Sequence, residues 1–179
     1  MSQMKRITIN YGGDSNLRRY LKWIKKKSQY KTSTNKIAVE LAIGGQTISQ
    51  LHKRLKRCQS KNYTFKIGRK ITLLIGSNDI LKGHSFTTMR KGITRVLSLL
   101  KSSEVNDVRL ITLPPYQQGS KLQHNKIKSY NKFMLRLRYP NVTVIDLYRC
   151  IQDYGGDFFE TDGIHLNMRG MLLLKDLLQ

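Results

Sequence analysis

Apolar and polar positions along the chain follow two alternating rhythms. Short apolar runs at 6–10 (RITIN), 36–43 (KIAVELAI), 70–75 (KITLLI), 108–113 and 142–147 (VTVIDL) predict five strands. Between them, apolar residues recur three and four apart. Leu17, Tyr20, Leu21 and Ile24 form one helix face, with Arg18, Arg19, Lys22, Lys25 and Lys26 mostly on the other. The stretch 47–58 predicts a second, very basic helix. Met89, Ile93, Val96, Leu97 and Leu100 mark a third. Ile127, Tyr130, Met134 and Leu137 mark a fourth that ends before Pro140, and 166–178 closes the chain as a helix. Strands that alternate with helices at these lengths predict an α/β fold, a parallel sheet with helices on both faces. The 70–75 run is nearly all apolar and so is expected at the centre. With no repeat, low-complexity stretch or Pro/Gly/Ser-rich linker, residues 1–179 read as a single domain.

Sheets of this kind bind ligands at the carboxyl ends of their strands, so the loops there carry the chemistry. After the first strand comes Gly12-Gly13-Asp14-Ser15-Asn16, and after the second Gly44-Gly45-Gln46-Thr47. After the third comes Gly76-Ser77-Asn78-Asp79, and before the last helix Thr161-Asp162-Gly163-Ile164-His165-Leu166-Asn167. Taken singly, each has an ordinary explanation as a tight turn or a helix cap. Taken together they hold a complete acyl-transfer set: a serine nucleophile, a histidine base, an aspartate to orient it, and amide donors for an oxyanion. His52, His84 and His124 show no partner pattern and read as surface residues.

The order Gly-Asp-Ser, Gly, Gly-x-Asn-Asp, Asp-x-x-His resembles the four sequence blocks of the SGNH (GDSL-type) hydrolases, from residue 6 to the C-terminus. The resemblance implies a flavodoxin-like three-layer α/β/α sandwich. It implies Ser15 as nucleophile, His165 as general base and then acid, and Asp162 on the other imidazole nitrogen. It also implies an oxyanion hole of the Ser15 N–H, the Gly45 N–H and the Asn78 side-chain amide. Asp14 and Asp79 are expected to brace loops rather than react. Two departures stand out: Asn16 replaces a leucine common in the family, and Tyr11-Gly12 is less apolar than the usual strand end. The residue two after the nucleophile is Leu17, not the glycine of an α/β-hydrolase elbow.

Composition changes this picture in one respect. Hydrophobic residues make up 39% and charged residues 25%, which fits a globular fold, and no apolar run reaches the ~20 residues of a membrane span. Cys58 and Cys150 form no metal or disulfide pattern and fit a reducing compartment. The first ten residues lack the apolar core of a secretion signal. The expected location is therefore intracellular, cytoplasmic or ribonucleoprotein-associated. No metal and no cofactor are expected. The net charge, however, is +22, and residues 1–78 hold 18 basic residues against Asp14 and Glu40. Repulsion of this size calls for a polyanion: RNA or DNA first, an anionic membrane surface second. Arg18, Arg19, Lys22, Lys25 and Lys26 on the first helix, and Lys53, Arg54, Lys56 and Arg57 on the second, are the candidate nucleic-acid contacts. Tyr20, Trp23, Tyr30 and Tyr63 are interleaved and could stack on unpaired bases.

A basic SGNH-type sequence of this kind resembles the esterase domain of LINE-type retrotransposon first-open-reading-frame proteins. It resembles, more distantly, the OSK domain of the germ-plasm protein Oskar, which implies an SGNH-like fold that binds RNA and has lost its catalytic residues. Three functions stay open: a serine esterase that also binds nucleic acid, a nucleic-acid-binding module with a vestigial site, and a lipid hydrolase held on anionic membrane. The acyl substrate (lipid, acetylated sugar or acetylated protein) is not fixed by any motif.

Overall fold

The structure, a computed structural model, describes residues 7–179. Arg6, the first residue of the predicted 6–10 strand, lies outside the described residues, as does most of the stretch read for a secretion signal. The strands are β1 (Ile7–Gly13), β2 (Gln29–Lys31), β3 (Ile37–Val39), β4 (Leu41–Ile43), β5 (Phe65–Leu74), β6 (Asp107–Ile111) and β7 (Val142–Ile145). They form one sheet in the order β2-β3-β4-β1-β5-β6-β7. The five strands β4, β1, β5, β6 and β7 run parallel, while β3 pairs antiparallel with both β2 and β4.

The sheet thus has seven strands, not the five read from the sequence, and the 36–43 run is not one strand. Glu40 takes a φ of +51° and folds that run into a hairpin. A glutamate in the left-handed region is strained. Here its side chain compensates. Its Oε2 accepts the N–H groups of Asn10 at 2.6 Å and Tyr11 at 2.8 Å, and its Oε1 lies 3.5 Å from Lys26 Nζ. Those two N–H groups belong to an irregular part of β1, which steps from Ile9 to Tyr11 while β5 steps from Ile67 to Thr72. The buried carboxylate therefore satisfies donors that the bulged ladder leaves free.

Helices α1 (Ser15–Trp23), α2 (Ile48–Cys58), α3 (Ser77–Leu81), α4 (Phe86–Ser102), α5 (Lys121–Leu135), α6 (Leu147–Tyr154) and α7 (Met168–Leu178) complete the chain. α2 packs on α4 and α4 on α5 across one face of the sheet. α1 and α7 cover the other: Lys26, just past α1, sits over Tyr11, and Arg109, in the same cross-strand row as Tyr11, donates to the Leu178 carbonyl at 2.6 Å. Leu17 and Leu21 of α1, Leu51 and Leu55 of α2, and Ile71, Leu73 and Leu74 of β5 are buried in the two interfaces. Each such side chain contributes roughly 1.5–3 kcal/mol by leaving water. The apolar 70–75 run thus lies mid-sheet, as its composition requires.

Candidate active site

Four chain segments meet at the carboxyl rim, beside the point where the chain reverses its direction of travel across the sheet: from β1, α1 leads out to the β2-β3-β4 side, and α2 leads from β4 back past β1 to β5. Gly13 ends β1 so close to β5 that a Cβ there would stand 2.2 Å from the Leu74 carbonyl oxygen, so only glycine fits. Asp14 then caps α1, accepting the Asn16 N–H at 3.0 Å, and Ser15 opens the helix. The predicted set converges there. His165 Nε2 lies 2.9 Å from Ser15 Oγ, and His165 Nδ1 pairs with Asp162 Oδ2 at 2.5 Å.

The imidazole is held by its own loop. Asp162 Oδ1 accepts the N–H groups of Ile164 and His165, each at 2.9 Å, and the Glu160 N–H donates to the His165 carbonyl at 2.7 Å. Phe159 and Leu166 form a bridge that closes the turn. Partial desolvation pushes the Asp162 carboxyl up, but the His165 ring together with the two N–H groups outweighs it. The carboxyl is held well below the usual carboxylate range. Asp162 therefore stays ionised.

Asn16 joins this loop to the helix that carries Ser15. Its amide donates to the Ile164 carbonyl at 3.2 Å, and its Oδ1 accepts the Leu166 N–H at 2.9 Å. One buried side chain thus brackets His165 on both sides. A leucine at this position could make neither bond.

Gly45 has a φ of +77°, which favours glycine. Neither its N–H nor that of Ser15 has a hydrogen-bond acceptor among the described residues. Asn78 Nδ2 donates to the Gln46 carbonyl at 3.1 Å, which fixes the amide plane and leaves its second N–H available. Gln46, buried, pins this loop. Its Nε2 donates to the carbonyls of Gly13 at 2.7 Å and Leu41 at 2.8 Å, and its Oε1 accepts from Arg54 Nη1 at 2.6 Å. Asp79 braces as expected, accepting the Ile48 N–H at 3.0 Å. Its other oxygen lies 3.0 Å from His84 Nδ1, so His84 is a partnered residue and not the free surface imidazole read from sequence.

Asp14 is fully buried, and burial pushes its carboxyl up to about 6, against the opposing influence of the Asn16 N–H, the Ser77 hydroxyl, His165 and the Leu17 N–H. Its Oδ2 makes no hydrogen bond of good geometry.

The candidate nucleic-acid residues divide in two. Lys22, Lys25, Lys53, Lys56 and Arg57 are exposed, and Arg18 and Arg19 half-buried. Lys26 and Arg54, also half-buried, are engaged internally with Glu40 and Gln46. Of the predicted aromatic stackers, Tyr20 is buried in the core, and Tyr30 and Tyr63 pack on Phe65. Among the described residues no helix is long and apolar enough to cross a membrane.

No curated protein matches by sequence. Among solved structures, the OSK domain of Drosophila Oskar is 17% identical, with a TM-score of 0.75 over 98% of this chain and 88% of that one. The lipase/acylhydrolase from Enterococcus faecalis is 20% identical, with a TM-score of 0.69 over 97% and 93%. A GDSL-like lipase from Bacteroides thetaiotaomicron is 15% identical, with a TM-score of 0.72 over 96% and 85%. The fold is that of the SGNH hydrolases, the flavodoxin-like sandwich expected. The OSK domain family model matches residues 13–158, most of the length, and the chain belongs to that family.

Proposed function

We propose that this protein is a serine esterase whose basic helices also bind RNA or DNA. The observation that supports the esterase reading is the hydrogen-bonded chain from Ser15 Oγ through His165 to Asp162, at 2.9 and 2.5 Å. In this reading Ser15 Oγ attacks the ester carbonyl carbon and its proton passes to His165 Nε2. Asp162 remains ionised and stabilises the imidazolium. The Ser15 and Gly45 N–H groups and the free Asn78 amide N–H receive the oxyanion. Collapse breaks the ester C–O bond, and the alcohol leaves with the proton from His165. Water, deprotonated by the same nitrogen, then releases the acid and restores Ser15. Nucleic-acid binding rests on the +22 charge and on the exposed Lys22, Lys25, Lys53, Lys56 and Arg57 on or beside α1 and α2.

The test is a short-chain acyl-ester assay paired with a serine-directed phosphonate probe. The native chain is expected to hydrolyse the ester and to be labelled at Ser15. Ser15→Ala and His165→Ala are expected to lower kcat by roughly 10³-fold or more with the fold intact. Unchanged hydrolysis in Ser15→Ala overturns the esterase reading. An unlabelled, inactive chain that still binds RNA makes this a binding module with a vestigial site.

A further inference from the structure

The helix that presents the nucleophile also brings cations to its rim. Ser15, Arg18, Arg19 and Lys22 stand at i, i+3, i+4 and i+7 on α1, on the side away from buried Leu17, Tyr20 and Leu21. Arg18 leans onto the loop after β4. Its Nε and Nη2 stand 3.6 and 3.7 Å from the point where a side chain on Gly44 would begin. Lys36 reaches the same loop, its Nζ donating to the Gly44 carbonyl at 3.1 Å and lying 2.9 Å from the corresponding point on Gly45. Two cations thus flank the glycine pair that supplies a candidate oxyanion donor.

Two other cations on this side of the molecule have internal partners. Lys26 has Glu40, and Arg54 has the side-chain oxygen Oε1 of Gln46. Among the described residues neither Arg18 nor Lys36 lies within ion-pair distance of a carboxylate. Arg18 Nε is buried with no hydrogen-bond partner. Burial, with the neighbouring Arg19 charge, lowers the basicity of that guanidinium. A partly desolvated, unpaired guanidinium is costly, and an anion seated on it removes the cost.

We propose that Arg18 and Lys36 form an anion subsite at the Gly44-Gly45 rim, and that the ester cleaved beside it carries a phosphate group on its alcohol portion. The proposal rests on the esterase reading and names its substrate class. A guanidinium fork with an adjacent ammonium matches phosphate oxygens. An acyl chain laid on the same rim would desolvate two charges and return no hydrogen bond. In the reaction the Ser15–acyl bond forms, the ester C–O bond breaks, and the phosphate-bearing alcohol leaves with the proton from His165. Two sources share this chemistry: a ribose ester of a nucleotide and a glycerol-phosphate lipid.

Two measurements on the full chain test it. The first reads binding alone, by nuclear magnetic resonance titration with adenosine 5′-monophosphate and with glycerol 3-phosphate. Saturable shifts of the Gly44 and Gly45 amides are expected, weakened at least tenfold in the Arg18→Gln/Lys36→Gln double variant. Lys36→Gln alone, at an exposed position, gives a smaller weakening and serves if the double variant fails to fold. No shift with either phosphate overturns the subsite, whatever the esterase activity. The second compares kcat/KM for O-acetyl-adenosine 5′-monophosphate with O-acetyladenosine, and for acetyl-glycerol 3-phosphate with acetylglycerol. At least one phosphate-to-neutral ratio is expected to exceed ten in the native chain and to fall towards one in the variants. The pair with the larger ratio identifies the source. Ratios near one for both pairs overturn the substrate assignment. Saturable amide shifts with no hydrolysis of any ester fault the esterase reading and leave the anion subsite standing.

Discussion

Asn16 shows how much one side chain can hold. Its amide closes two hydrogen bonds to the backbone on either side of His165. Asn16→Leu keeps the branched shape but leaves the buried Leu166 N–H unsatisfied, a loss of about 1–3 kcal/mol. Thermal melting is expected to show that loss, and the drop in ester hydrolysis, about tenfold, is expected in kcat rather than KM. Asp14 behaves in the opposite sense. Its folded-state carboxyl lies near 6 against 3.8 in the unfolded chain, so the folded chain binds the extra proton between those values. Stability therefore falls as pH rises from about 4 to about 6 and stays lower above, by about 3 kcal/mol. Asp14→Asn keeps an oxygen for the helix cap and removes the buried charge. Urea denaturation is expected to find the variant more stable than the native chain at pH 7 and equal to it near pH 4. Hydrolysis is expected to slow, because the imidazolium at His165 loses an attractive carboxylate. The candidate set Ser15, Asn78, Asp162 and His165 was legible in the sequence because the proposed acyl transfer would need those side-chain types beside glycine turns. Asn16, Gln46 and the Asp79–His84 pair were not, because their partners are backbone groups or residues of separate segments that only folding brings together.

Elements were legible to the degree that their apolar pattern was uninterrupted. α2, α4, α5 and β6 fall where the spacing predicts. α3 and α6 were missed because one or two turns give no period to read. The first half of β5 was missed because Lys66, Gly68 and Arg69 break its alternation at the bulge against β1. The β3–β4 hairpin was missed because Glu40 occupies a polar slot of an apparently regular strand. That residue is also the most sensitive point of this layer. Glu40→Ala strands two N–H groups and leaves Lys26 without its ion pair, and chemical denaturation is expected to show a loss of about 2–4 kcal/mol. Glu40→Gln keeps an acceptor and is expected to lose less.

For the whole molecule, charge was the plainest feature of the sequence, and its division was hidden. Composition counts every lysine and arginine alike, whereas the fold withdraws Lys26 and Arg54 into internal contacts, half-buries Arg18 and Arg19, and leaves Lys22, Lys25, Lys53, Lys56 and Arg57 exposed. If the proposed RNA binding engages six to ten phosphates, affinity is expected to fall about 10³–10⁵-fold between ~50 and ~200 mM salt. Filter binding across that range checks it, and a flat profile removes nucleic acid as the partner. The span between Ser15 and His165 has a last consequence. The two residues lie 150 positions apart, and the loop bearing His165 immediately precedes α7. During synthesis the hydroxyl emerges 150 residues ahead of its imidazole and cannot meet it until that length has been made. If the proposed esterase reading holds, a ribosome stalled anywhere before the His165 loop releases a chain that is chemically silent.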